Sequence, residues 1–406
     1  MLNRRWRARL ALAAVAGLVT MAALPAGPAR AAAADGISDK QQWVLSMLDI
    51  NPAWAVTRGA GVTVAVIDSG VNPDVSDLTG SVITGPDYTG VSTSPDNRNW
   101  GVHGTWMASL IAGHGHDGGI DGVTGIAPQA RILSIRVIPD RADPHYAKYE
   151  REQETVIQQS LADGIRYAVA HGAQVISMSI GYSAPSGTVR AELQQAYDKG
   201  VVVIASAGNS GGPSGKNSAQ DDDAPESFPA DYPGVISVGA VNSSGVVAGF
   251  SSDNLSVKVA APGVNVPAQG RDGEYWLVSG TSPACALVAG VAALIKSKYP
   301  HLAPDLVATA LTSTATGRPA GGYNSQVGFG IVDAGAALAR AGRLAGARPA
   351  VASVKDTVKY HGAVAPAPVR PRGSGQLVLF GLLALTSLAL SAAAATQLIL
   401  LRRGTR

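Results

Sequence analysis

The chain has 406 residues and a single cysteine, Cys285, so no disulfide can form within it. Its net charge of +3 is misleading, because residues 1–31 and 344–406 hold 13 of the 32 Lys and Arg residues but one acid. Residues 32–343 keep 19 basic and 28 acidic residues, a net charge of −9, which argues against nucleic acid as a partner.

The N-terminal segment 1–31 has the pattern of a secretory signal. An apolar stretch, 10–24, follows an arginine-rich start, and Ala29-Arg30-Ala31 fits a cleavage site. A first transmembrane helix is the alternative, but the stretch is short for a bilayer. The arm that follows, 32–60, is short and carries apolar residues such as Trp43 and Leu48. We expect this arm to dock on the folded domain.

Between the arm and residue 343, apolar runs alternate with helical patterns. The strand-like runs are 62–67, 131–137, 173–180, 201–205 and 235–241, and the helical patterns are 105–112, 154–171, 188–199 and 282–298. Near-continuous apolar runs are typical of strands buried on both faces. Their alternation with helices predicts an α/β fold, in which a parallel sheet is flanked by helices on both faces.

Four short segments of this domain each hold one group that acyl transfer needs. Asp68 follows the first strand in Val-Ile-Asp-Ser-Gly, His103 opens His-Gly-Thr, Asn209 ends Ala-Gly-Asn, and Ser282 ends Gly-Thr-Ser. These supply an acid that orients a base, the base, an amide donor to an oxyanion and a nucleophile. The order Asp, His, Ser is that of subtilisin and differs from those of chymotrypsin and the α/β-hydrolases.

Each of these residues also has a structural interpretation. Ser282 precedes a proline and a helical run, as an N-cap does, and Asp68 and Asn209 stand in turn-rich sequence. Asp74 and Asp77 are the other candidates for the acid, but Asp68 directly follows the apolar strand. The occurrence of all four segments together favours catalysis.

Two further clusters contain residue types that bind metals. His114-Gly115-His116-Asp117 lies in a glycine-rich loop, and residues 221–223 are three consecutive aspartates. Acidic runs are usually solvated, so we assign no metal to either cluster and expect no cofactor. Cys285 is expected to be a small buried side chain without a catalytic role.

The C-terminal part predicts a membrane anchor. Residues 344–376 are rich in Ala and Pro and have the composition of an extended linker. Residues 377–401 contain no charge, and arginines follow directly within 402–406. About 20 apolar residues span a bilayer, and positive charges favour its cytoplasmic side. We expect a transmembrane helix at 377–401, a cytoplasmic tail at 402–406 and an extracytoplasmic domain at the cell membrane; a buried core helix is the alternative.

With its four motifs, the region from about residue 50 to 340 resembles the subtilisin-like serine proteases (subtilases). The signal, the short arm in place of a full pro-domain, and the linker into one C-terminal helix are most similar to the mycosins, the membrane-anchored subtilases of type VII secretion. The resemblance implies a serine endopeptidase that acts on polypeptides and is associated with a type VII secretion membrane complex. In the family the nucleophile segment usually continues with Ala-Pro, whereas here it reads Ala284-Cys285-Ala286-Leu287.

The resemblance also implies substrate-binding residues. Three of them, Ser179, Ile180 and Gly181, match the segment that pairs with the substrate backbone as an added strand. Four small residues match the wall of the pocket for the residue before the scissile bond: Ala205, Ser206, Ala207 and Gly208. A structural component of a secretion complex, with proteolysis dispensable, is the alternative function.

Overall fold

The computed structural model describes residues 36–116, 121–147, 153–211 and 226–346, with short stretches between 385 and 393. The predicted signal and cytoplasmic tail lie outside the described residues, as do most of the linker and most of the segment 377–401. Among the helices that are described, none combines the length and apolar character needed to cross a membrane.

The strands of the domain form one large sheet and two small hairpins. They are β1 Thr63–Asp68, β2 Val82–Asp87, β3 His114–His116, β4 Asp121–Thr124, β5 Arg131–Arg136, β6 Val175–Met178, β7 Val202–Ser206, β8 Ile236–Val241, β9 Val257–Pro262, β10 Val266–Gln269 and β11 Tyr275–Val278. The large sheet has seven strands in the order β2-β5-β1-β6-β7-β8-β9. All of its neighbouring strands are parallel, which confirms the predicted α/β class.

Helices and one 3₁₀ turn, Ser76–Leu78, connect these strands. The helices are α1 Ile37–Met47, α2 Ile50–Trp54, α3 Val102–Ala112, α4 Gln153–Ala170, α5 Gly187–Asp198, α6 Thr281–Lys298, α7 Pro304–Thr314 and α8 Ala334–Gly346. Four of them match the helical patterns of the sequence, but α3 begins three residues earlier than its pattern, at Val102. Glycines at 101 and 104 interrupt the apolar periodicity there.

Alternate residues of the parallel strands feed two separate cores. In β1, Val64 and Val66 pack on one face with α3 and α6, whereas Ala65 and Ile67 pack on the other face with α4 and α5. This alternation follows from the two-residue period of a strand. Helices therefore cover both faces, and the near-continuous apolar runs of the sequence are explained.

The N-terminal arm, from residue 36 onward, packs on the face of the sheet that α3 and α6 cover. Val44, Leu48 and Ala53 are fully buried in that core. The Gln41 side-chain amide donates to the Thr124 carbonyl oxygen at 2.8 Å and accepts from the Thr124 backbone N–H at 3.0 Å. The arm is thus fixed by both apolar contact and paired hydrogen bonds.

Tight packing of α6 gives a test of this architecture. A Cβ on Gly290 would lie 2.5 Å from the Cβ of Ile126, whereas a Cβ on Gly187, at the start of α5, would meet nothing within 4 Å. Alanine is favoured over glycine in a helix by about 1 kcal/mol, but overpacking costs about 1–3 kcal/mol. We expect Gly290→Ala to lower the free energy of unfolding measured in urea, and Gly187→Ala to leave it unchanged or raise it. Increased stability of Gly290→Ala would contradict the packing.

Candidate active site

Asp68 and His103 form a hydrogen-bonded pair at the carboxyl end of β1. The Asp68 side chain is 1% exposed, and its Oδ1 accepts from His103 Nδ1 at 2.8 Å and from the Ser69 backbone N–H at 2.7 Å. Because an ionised carboxylate can only accept, this contact assigns the proton to Nδ1 and leaves Nε2 of the neutral ring as an acceptor. Asp68 Oδ2 is buried without a hydrogen-bond partner in the described part of the chain.

The electrostatic surroundings of His103 favour its protonated form. Burial lowers the pKa of His103, but the charge and hydrogen bond of Asp68 and the charge of Asp140 together raise it further than burial lowers it. The pKa of the imidazole therefore lies above its ordinary value of 6.5. The charge of Asp68 thus favours the protonated form that a general base takes on when it accepts a proton.

Glycines allow the His103 helix to approach the turn after β1. A Cβ on Gly104 would lie 2.1 Å from the carbonyl oxygen of Gly70. Gly70 itself has a φ of +99°, which L side chains rarely adopt. The Gly104 backbone N–H donates to Ser69 Oγ at 3.0 Å. The backbone of the His-Gly-Thr motif therefore lies directly against that of the Asp-Ser-Gly motif.

Asn209 is linked to the segment that carries Ser282. Its Oδ1 accepts from the Thr281 backbone N–H at 2.9 Å and from Thr281 Oγ1 at 3.0 Å. Because two donors hold the oxygen, the Nδ2 group is the end of the amide that can donate to a ligand. It would lie 3.5 Å from a Cβ placed on Gly280. Ser282, partly exposed, is the second residue of α6. The amide donors therefore face the start of the helix that holds Ser282.

The segments expected to bind substrate lie on the β6 and β7 side of Ser282. Ser179 Oγ donates to the Ser282 carbonyl oxygen at 3.2 Å, and the Gly208 backbone N–H donates to Thr281 Oγ1 at 3.2 Å. Gly181 is exposed. Four of the remaining residues are buried: Ile180, Ala205, Ser206 and Ala207.

Cys285 and the acids near β1 have structural surroundings. Cys285 is fully buried, and burial raises the pKa of its thiol to about 12, so it is not a thiolate. Asp77 is also buried and accepts from His116 Nδ1 at 2.9 Å and from the Val123 backbone N–H at 2.7 Å. Asp77 therefore joins the 3₁₀ turn to the β3–β4 hairpin instead of pairing with His103.

Neither cluster of metal-binding residue types is fully described. Asp117 and residues 221–223 lie outside the described residues. In the part of the chain that the structure covers, no group of three or more His, Cys, Asp or Glu side chains is arranged to hold a metal ion.

Asp140 is a functional candidate that the sequence motifs missed. It is 7% exposed, and its two carboxylate oxygens accept from the backbone N–H groups of Val102 and His103, both at 2.9 Å. Burial raises the pKa of Asp140 above its ordinary value, although the two backbone hydrogen bonds act in the opposite direction. A carboxylate in this place satisfies free N–H groups and complements the helix dipole. The feature of the sequence that could have indicated Asp140 is its position shortly after β5, at the sheet edge that holds Asp68.

Comparison with known proteins identifies the family. The sequence profile of the subtilase family (Peptidase S8) matches residues 59–330. The chain belongs to the subtilase family. Subtilisin DY of Bacillus licheniformis is 36% identical over 259 residues, which cover 64% of this chain and 85% of that protein. This subtilase chain spans 61% of the length of several other subtilisins that are 36% identical to it.

Mycosins are also among the relatives of this subtilase. Mycosin-1 of Mycobacterium tuberculosis is 34% identical over 333 residues, covering 73% of this chain and 72% of that protein. The structure of MycP3 protease from the type VII (ESX-3) secretion system has a TM-score of 0.61 and 33% identity, covering 73% of this chain and 87% of that chain. A chain in the periplasmic assembly from the ESX-5 inner membrane complex gives a TM-score of 0.60 and 30% identity, with coverage of 73% and 84%. The chain is thus a serine endopeptidase of the subtilase family, related to the mycosins of type VII secretion.

Asp140 gives a test of the surroundings of His103. Asp140→Asn removes the charge but keeps one acceptor oxygen, so we expect it to lower the pKa of His103, measured by NMR titration of the ring protons. Asp140→Ala also removes both acceptors and is expected to lower the free energy of unfolding by about 0.5–2 kcal/mol, as the loss of a helix cap does. An unchanged His103 pKa in both variants would contradict the proposed electrostatic contribution.

Proposed function

We propose that this subtilase is a membrane-anchored, extracytoplasmic endopeptidase that hydrolyses peptide bonds through Asp68, His103 and Ser282. The observation that supports the proposal best is the 2.8 Å contact between the buried Asp68 carboxylate and His103 Nδ1. This contact lies at the carboxyl end of β1, and Ser282 is the second residue of α6, which packs against α3. Carboxyl ends of parallel strands are where α/β folds gather their functional groups.

The proton transfers follow from the assigned tautomer. With Nδ1–H donating to Asp68, His103 Nε2 takes the proton of Ser282 Oγ as the oxygen attacks the peptide carbonyl carbon. The same nitrogen then protonates the leaving amine, and an acyl-enzyme ester forms on Ser282. A water molecule, deprotonated by His103, hydrolyses the ester and restores the serine. Asp68 keeps the ring in the useful orientation and stabilises the imidazolium.

Asn209 supplies one donor of the oxyanion hole in this proposal. Its Nδ2 group, oriented through the contacts of Oδ1 with Thr281, donates to the carbonyl oxygen as negative charge develops there. The backbone N–H of Ser282, at the positive end of the α6 dipole, is the second donor. Thr281 thus positions the amide without touching the substrate itself.

The substrate is a polypeptide bound in extended form. Residues 179–181 continue from the end of β6 and pair with the backbone of the substrate, as in β-strand addition. Residues 205–208 line the pocket for the side chain before the scissile bond. Neither set contains a charged side chain, so recognition on this side depends on shape more than on charge.

Variants of the proposed nucleophile and amide test this mechanism. We expect Ser282→Ala to lower peptide hydrolysis by about 10³-fold or more, and Asn209→Ala to lower kcat by about 10²–10³-fold. The Tm of Ser282→Ala should be unchanged, and Ser243→Ala, at an exposed serine, should hydrolyse peptides as the wild type does. Hydrolysis by Ser282→Ala at the wild-type rate would contradict the mechanism.

The domain organisation and location complete the proposal. Residues 1–31 are a cleaved signal, 32–60 the docked arm, 61–343 the protease domain, 344–376 the linker, 377–401 the membrane helix and 402–406 the cytoplasmic tail. The bilayer is one partner through the helix, and a type VII secretion membrane complex is the other. The similarity to MycP3 protease and to a chain of the ESX-5 assembly supports this partner.

Removal of the proposed anchor tests the location. When expressed with its signal, the full chain is expected in the membrane fraction and resistant to carbonate extraction. A chain ending at residue 346 keeps α8 intact, so we expect it to be exported in folded form and released from the membrane. Recovery of the full chain in the soluble fraction would contradict membrane anchoring.

A further inference from the structure

An exposed apolar surface lies beside the proposed catalytic base. Trp276 and Leu277, consecutive residues of β11, are 49% and 57% exposed. The other large exposed hydrophobic residues described between 36 and 346 stand singly in the sequence: Val56, Tyr197, Val246 and Leu255. We name Trp106 and Trp276 the apolar patch; Leu277 lies on the other face of the hairpin, because successive residues of a strand point to opposite faces. Two large aromatic side chains in contact, one of them about half exposed to water, indicate a surface that can receive an apolar ligand.

The patch is held in place and is continuous with His103. The Trp276 ring centroid lies 6.1 Å from that of Trp106, which lies 6.3 Å from that of His103, one helical turn away on α3. Trp276 also rests on the backbone of Gly270, where a Cβ would lie 2.7 Å from the indole Nε1. The Gln269 backbone N–H donates to Ser109 Oγ at 3.0 Å and so ties the β10–β11 hairpin to α3. A surface fixed in this way loses little conformational entropy on binding.

The position of the patch identifies the half of the substrate that meets it. The ends of β6 and β7 lie on one side of Ser282. Ser179, after β6, contacts Ser282, and Asn209, after β7, contacts Thr281. On the other side are α3, with His103, and the β10–β11 hairpin packed against it. The base protonates the leaving amine, so the part of the substrate after the scissile bond lies on the His103 side. The patch therefore faces the leaving half of the peptide.

We propose that Trp106 and Trp276 bind a large apolar side chain, such as Phe or Leu, at the first or second position after the scissile bond. This inference rests on the proposed function and adds a substrate preference to it. Continuity with His103 favours the substrate as the occupant over a separate partner. Exposed acids on the hairpin, Asp272 and Glu274, disfavour an anionic residue in the same place.

Peptide pairs that differ only after the scissile bond test the preference. Internally quenched peptides with a common N-terminal half would carry Phe, Gly or Asp at the two positions that follow, with the cut bond verified by mass spectrometry. We expect kcat/KM of the wild type to be about tenfold higher for Phe than for Gly, and lowest for Asp. Trp276→Ala should reduce the ratio of Phe to Gly by about threefold or more, whereas Leu277→Ala, on the other face of the hairpin, should leave it unchanged.

Matched variants and a second substrate separate the possible outcomes. Leu255→Ala, at an exposed leucine between β8 and β9, should keep the wild-type ratio, and Trp276→Phe should keep most of it. A peptidyl anilide has no amino-acid residue after the scissile bond, so its hydrolysis by the wild type and by Leu255→Ala tests the proposed function separately from the subsite. Lack of anilide and peptide hydrolysis by the wild type would refute the proposed function itself. Normal hydrolysis with no Phe preference, or with the same preference in Trp276→Ala, would overturn the subsite.

Discussion

The hydrogen bond between Asp68 and His103 is the interaction on which the active-site region depends. A carboxylate that is 1% exposed is costly to ionise unless it is paired, and the imidazole 2.8 Å away is its charged partner when protonated. For the ring to reach it, α3 must lie directly on the turn after β1, and Gly70 and Gly104 leave room for that contact. Asp140 holds the same helix end through two backbone N–H groups. The Asp-Ser-Gly and His-Gly-Thr motifs are therefore needed for the contact between α3 and this turn as much as for the chemistry.

The same pair acts in opposite directions on stability and on catalysis. The pKa of His103 is raised in the folded state, so the protonated ring stabilises the fold fully below the ordinary value of 6.5. That stabilisation is lost as the pH rises through the folded-state pKa. The proposed base needs the neutral ring, so activity should rise over the range in which this contribution to stability falls. A site of this kind is stabilised in its resting, protonated form.

Much of the fold follows from patterns in the sequence, and the exceptions have physical reasons. The central strands are visible because both of their faces are buried, whereas β2, with Gly85 and Pro86, is only partly buried and has no apolar run. Asp68 could be chosen over Asp77 because it ends a strand. Asp140 was missed because it caps a helix 37 residues away from it in the chain, and no local pattern records that contact. The exposure of Trp276 could not be predicted, since a tryptophan in a strand is usually buried.

The measurement closest to the central claim is the pH dependence of Ser282 phosphonylation by a fluorophosphonate, followed by mass spectrometry. This reaction needs the base and the nucleophile but no knowledge of the natural substrate. We predict that the label is found on Ser282, that its rate rises with pH with a midpoint above 6.5, and that His103→Ala lowers the rate at least about a hundredfold. Labelling of Ser282 that is independent of pH, or equally fast in His103→Ala, would contradict the account.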